Sequence, residues 1–67
     1  MLYITGNRNG YDEKQCGETL TVGELIERLS EFDENEPVYL MNDGGYTYGS
    51  IDYDNISDNK EDLGYRY

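Results

Sequence analysis

The chain has 67 residues, with fifteen Asp or Glu against five Lys or Arg and a formal net charge of −10. That size holds one domain, which buries only about 60% of its unfolded surface, and that charge repels DNA, RNA and anionic membranes. With one cysteine and no histidine, an intramolecular disulfide, a Cys/His zinc site and a Ser-His or Cys-His nucleophile pair are excluded.

Residues 1–5, MLYIT, predict a short strand. Residues 6–19 are polar, with Gly6, Gly10 and Gly17, and predict a long loop with a turn at Asn9-Gly10. Cys16 falls in this loop beside Glu18 and reads as an unreactive surface thiol. Thr21-Val22-Gly23-Glu24 fits a capping box, in which Thr21 accepts from a backbone N–H and Glu24 reaches back. Val22, Leu25, Ile26, Leu29 and Phe32 then recur at helical spacing and predict a helix over 22–32, stopped before Pro37.

Residues 38–41 suit a strand, and Asn42-Asp43-Gly44-Gly45 a hairpin turn, because glycine tolerates positive φ. The return strand is expected over 46–53. Thr47, Gly49, Ile51 and Tyr53 would share one face; Tyr46, Tyr48, Ser50 and Asp52 the other. An acidic tail follows Asp54 and ends in GYRY, a candidate last edge strand. The order β-α-β-β, with a possible further β, predicts an α+β fold. It is a small two-layer domain over 1–67, with one helix packed on a three- to four-stranded sheet.

The double glycine raises the question of a phosphate loop. Such a loop joins a strand to a helix whose N-terminal N–H groups hold the anion. Gly44-Gly45 instead leads into a tyrosine-rich strand, among aspartates. Calcium fares no better. A loop counted from Asp52 puts Ile56 at the fifth position and Ser57 at the sixth, where an EF-hand needs an oxygen ligand and a glycine. No metal site, cofactor or catalytic residue is expected, and a chain this short offers little room for a substrate pocket of a few hundred Å3. The expectation is a non-enzyme. No basic start with a long apolar run is present, which argues against a signal peptide or membrane span and for the cytoplasm of a host cell.

What stands out is the display of acids and tyrosines. Glu24, Glu27, Glu31 and Glu34 form a single stripe on a continuous helix, opposite Leu25 and Leu29, with carboxylates about 5 to 6 Å apart along the axis. On an extended return strand Asp52 and Asp54 lie about 6 to 7 Å apart on one face. Both spacings are comparable with phosphate separations, so a groove of Arg and Lys made for nucleic acid could take this surface instead. Asp43, Tyr46, Tyr48 and Tyr53 would add charge and aromatic contact area. The bland reading is a solvated face, since helices place charges outward. Against it stand the near-absence of bases in the stripe, where Arg28 is the helix's only one, and eight tyrosines in the chain.

The run TVGELIERLSEFDENEPVYLMNDGGYTYGSID, about half the chain, resembles small uncharacterised proteins of bacteriophages and mobile elements. The pattern T-x-x-E-L-I-x-x-L, an acidic turn and Pro-Val into a hairpin carry the resemblance. It implies a fold and no activity motif. In size and charge the chain is also similar to anti-CRISPR and anti-restriction inhibitors, several of which resemble DNA in charge, and no residue is transferred by that likeness. The expectation is an inhibitor of a basic nucleic-acid-binding protein, first a CRISPR effector, acting by DNA or RNA mimicry as a monomer or weak homodimer. It would contact neither nucleic acid nor membrane. The rival is a phage assembly module that uses the tyrosine hairpin for self-association or protein contact.

Overall fold

A computed structural model of the protein describes residues 1–64. Strand β1 spans Leu2–Ile4, helix α1 Val22–Leu29, strand β2 Val38–Asn42 and strand β3 Thr47–Gly49; a short helical turn, α2, covers Glu61–Gly64. Three 3-10 turns lie between them, at Glu13–Gln15, Asp43–Gly45 and Tyr53–Asn55.

The sheet is mixed, in the order β1-β2-β3. β1 runs parallel to β2, with Leu2 opposite Val38, Tyr3 opposite Tyr39 and Ile4 opposite Leu40. Parallel neighbours need a crossover, and the long loop with α1 supplies it. β3 runs antiparallel to β2, pairing Leu40 with Gly49, Met41 with Tyr48 and Asn42 with Thr47. Because side chains alternate along a strand, this register sorts the sheet into two unlike faces. Leu2, Ile4, Val38 and Leu40 share the face toward α1. Tyr3, Tyr39, Met41 and Tyr48 share the outer one. The α+β architecture expected from the sequence is therefore present, as a three-stranded sheet with one main helix.

Helix α1 starts where its cap dictates. The Thr21 N–H donates to Glu24 Oε1 at 2.9 Å and the Glu24 N–H to Thr21 Oγ1 at 3.2 Å. It ends at Leu29, three residues short of expectation. The Ser30 hydroxyl donates to the Glu27 carbonyl at 2.6 Å, and the N–H groups of Glu31 and Phe32 bond to Arg28 and Leu29 in i→i+3 fashion. A serine that competes for backbone carbonyls and a tightened last turn are common ways for a helix to finish.

The return strand is shorter still. The Asp52 N–H donates to Asn55 Oδ1 at 2.7 Å, and the Asn55 N–H to the Asp52 carbonyl at 3.0 Å. This local turn takes the backbone groups a longer strand would offer to the ladder. In the first loop the chain forms the Glu13–Gln15 turn, capped by Asp12, where a hairpin at Asn9-Gly10 was expected. Gly10 is required there: a Cβ would lie 2.3 Å from Gln15 Cβ. Of the proposed last strand, GYRY at 64–67, Gly64 instead closes α2, and residues 65–67 lie outside the described residues.

Packing between the layers is open. Leu25 and Leu29 of α1 face Ile4, Val38 and Leu40 across a cleft of 470 Å3. Val22 and Ile26, expected on the same apolar face, point to solvent. Leu2, Ile4, Phe32, Val38, Leu40, Met41 and Ile51 are half-buried, and among the described residues none is fully buried.

Candidate functional site

The expected acidic stripe does not form a single helical row. Glu24 and Glu27 stand on α1; Glu31 lies beyond its end because the helix stops at Leu29, and Glu34 lies beyond even the expected end at residue 32. Glu24 is committed to the cap, and the Thr21 N–H, then its hydroxyl, lower the Glu24 pKa below the ordinary value of 4.5. Glu31 pairs with Arg28 Nη1 at 3.0 Å, while the same guanidinium sits 5.2 Å from the Phe32 ring centre. Glu34 falls in the turn leading to Pro37.

The hairpin residues divide among three places. Asp43 begins the turn after β2, with φ of 49°, and pairs with Arg8 from the first loop. Tyr46 follows that turn and is 86% exposed. Tyr48 lies in β3 on the outer face of the sheet. Asp52, Tyr53 and Asp54 belong to the second turn, and Tyr53 is 98% exposed. The expected alignment of Asp52 and Asp54 along an extended strand is therefore incorrect: the Asp52–Asn55 turn bends the backbone between them. Asp54 has a partner within the chain.

Sequence reasoning missed two features. The first is an aromatic cluster on the outer sheet face. Tyr3 lies 6.5 Å from Tyr39 and 6.1 Å from Tyr48 between ring centres, the latter pair edge-on. With Met1 they line a shallow cavity of 250 Å3. The alternation in MLYIT and VYLMN contained the signal, but it needed the parallel register to bring Tyr3 beside Tyr39. The second is the cleft under α1, where Ile51, Asp52, Tyr53 and Ile56 join the helix and sheet residues in its lining. Nothing in the apolar periodicity distinguishes an open cleft from a closed core.

Elsewhere Lys60 Nζ pairs with Glu13 Oε1 at 3.2 Å and ties the first loop to the region before α2. The Glu13 backbone N–H, followed by Lys60, lowers that carboxyl's pKa below the ordinary value of 4.5. Among the described residues no three His, Cys, Asp or Glu side chains gather as metal ligands, and no helix is long and apolar enough to cross a membrane. Comparison with known protein families, with curated proteins and with solved structures finds no match. The chain's own surface is thus the basis for any functional reading: a strongly acidic exterior with exposed tyrosines on turns and on one sheet face.

Proposed function

We propose that the protein is a non-enzymatic, acidic interaction module of a phage or mobile element that binds a basic nucleic-acid-binding host protein and inhibits it, with a CRISPR effector as the first candidate. The observation that carries this reading is the placement of Tyr46 and Tyr53, almost wholly exposed, on turns that also hold Asp43, Asp52 and Asp54. Tyrosine among carboxylates suits a surface that meets arginine and lysine, since the ring accepts a cation on its face and its hydroxyl stays polar. A net charge of −10 would speed encounter with a basic groove and make it salt-sensitive. The acids act as a dispersed field, without the regular phosphate-like spacing that a longer helix and strand would have given.

The test is affinity capture from bacterial lysates containing CRISPR systems, at low and high salt. Recovery of a basic nucleic-acid-binding protein, released by salt or by its own nucleic acid, supports electrostatic inhibition of that protein. Recovery of salt-resistant, non-basic partners or of the chain itself favours the assembly reading. That second reading draws on the Tyr3, Tyr39 and Tyr48 cluster, an aromatic sheet face suited to a neutral partner or a second copy. Replacing Glu24, Glu27 and Glu31 by Gln separates the two. Gln also serves at the third position of a capping box, so the fold is kept while charge is removed.

A further inference from the structure

The molecule exposes more surface than its mass requires. Its accessible surface is 6606 Å2, whereas a compact monomer of 7.8 kDa shows about 4400 Å2. The excess of about 2200 Å2 is more than twice the ~800 Å2 that one partner contributes to a standard protein interface. The radius of gyration agrees: 13.2 Å against about 11 Å for a compact chain of this length. The place where the excess is apolar and concave is the cleft between α1 and the sheet, walled by Ile4, Leu25, Leu29, Leu40, Ile51 and Ile56. A second cavity, of 320 Å3, continues from it past Ile4, Leu25 and Leu29 toward Phe32. These walls belong to the layers that a domain this small closes against each other, and they stand apart.

We infer that this cleft is the seat of an amphipathic, basic segment of the partner, whose apolar side chains complete the core between α1 and the sheet. The inference rests on the basic-partner reading and locates its apolar contact. Charge selects the occupant. Asp52 lies in the cleft wall, Glu18 and Glu24 line a separate cavity that shares Thr5 with the second one, and Arg28 in that second cavity is already paired with Glu31. A segment with Leu or Ile on one side and Lys or Arg on the other satisfies both the walls and the rim. A second copy of the chain satisfies the walls alone, and brings another net charge of −10. Insertion of one amphipathic element into an apolar groove is a recurring recognition mode, read through anchors at helical spacing. The exposed acids then set the rate of encounter, and the cleft sets the lifetime of the complex.

The probe is a labelled helical peptide of about 18 residues, five turns, built only of Leu and Lys with the leucines on one face. Its binding is followed by fluorescence anisotropy. Three controls accompany it: the same composition scrambled, a polylysine of equal length, and a Leu/Gln peptide with the same apolar face. The amphipathic Leu/Lys peptide should bind at least about tenfold more tightly than each control, a difference of ~1.4 kcal/mol. Ile56→Asn, in the cleft wall and outside the sheet, should weaken it by about tenfold or more. Ile26→Asn, on the outer side of α1, should leave it unchanged. Equal binding of the scrambled peptide or polylysine sinks the cleft and leaves the acidic-surface function standing. Equal binding of the Leu/Gln peptide removes the demand for a basic segment, and the basic-partner reading is then wrong as well. A radius of gyration near 11 Å for the chain alone in solution scattering, or a homodimer that excludes the peptide, overturns the inference directly.

Discussion

Thr21 and Glu24 show how much one pair of side chains decides. Their reciprocal bonds satisfy two backbone donors that the first turn of α1 would otherwise leave to water. Thr21→Ala should cost about 1 kcal/mol, read as a lower denaturant midpoint with an unchanged slope. The same contacts hold the Glu24 pKa down, as the Glu13 backbone N–H and Lys60 hold down that of Glu13. A carboxyl whose folded pKa is depressed binds its proton more weakly when folded. Its contribution to stability is therefore full above the unfolded value, 4.5, and is lost as pH falls through the lower folded value. In an NMR titration of the side-chain carboxyl carbons, both residues should show midpoints below 4.5. Thr21→Ala should raise that of Glu24 alone, and Lys60→Gln that of Glu13 alone; a common response of both would show that the shifts are not local. Gly10 is a residue of another kind. Any side chain there meets Gln15, whose Oε1 accepts from the Tyr11 N–H at 2.6 Å. Gly10→Ala should displace Gln15 and open the Glu13–Gln15 turn, seen as lost exchange protection at Tyr11.

At the scale of elements, the turn between β2 and β3 and the end of α1 carry the lesson about sequence reading. Asn42-Asp43-Gly44-Gly45 is a turn as its composition predicts, and φ is positive at Asp43, Gly44 and Gly45. Gly44→Ala places a Cβ in the left-handed region, at a cost of about 1–2 kcal/mol. Gly44→Asn should cost less, because Asn reaches that region with local hydrogen bonds; the two variants are compared by thermal melting. The helix start was legible because a cap is a local code of four residues. The helix end was not, because Ser30 offers its hydroxyl to the backbone of Glu27, an option that apolar periodicity does not register. The return strand ends at Gly49, and beyond it Asn55 captures the Asp52 N–H in a turn of its own. Those two local bonds dismantled the regular rows of acids on which a spacing argument depends.

Over the whole molecule, charge and openness act together. A net charge of −10 opposes compaction, and the two layers that form the core meet across a cleft. Raising ionic strength from about 0.01 M to 0.15 M shortens the screening length from ~30 Å to ~8 Å. The melting temperature of the free chain should rise over that range and its radius of gyration fall. A melting temperature insensitive to salt would mean that self-repulsion has no part in holding the layers apart.

The amino-acid sequence by itself determined the acidic exterior, the start of α1, the position of the β2–β3 turn and the α+β class. Each of these rests on composition or on contacts between residues a few positions apart. The tertiary structure alone decided the parallel pairing of β1 with β2, the gathering of Tyr3, Tyr39 and Tyr48, and the cleft beneath Leu25 and Leu29. These depend on register between segments far apart in the chain, and on how closely two layers approach. A pattern of apolar residues states which side chains seek burial, and the three-dimensional packing states whether the chain has enough of its own surface to bury them.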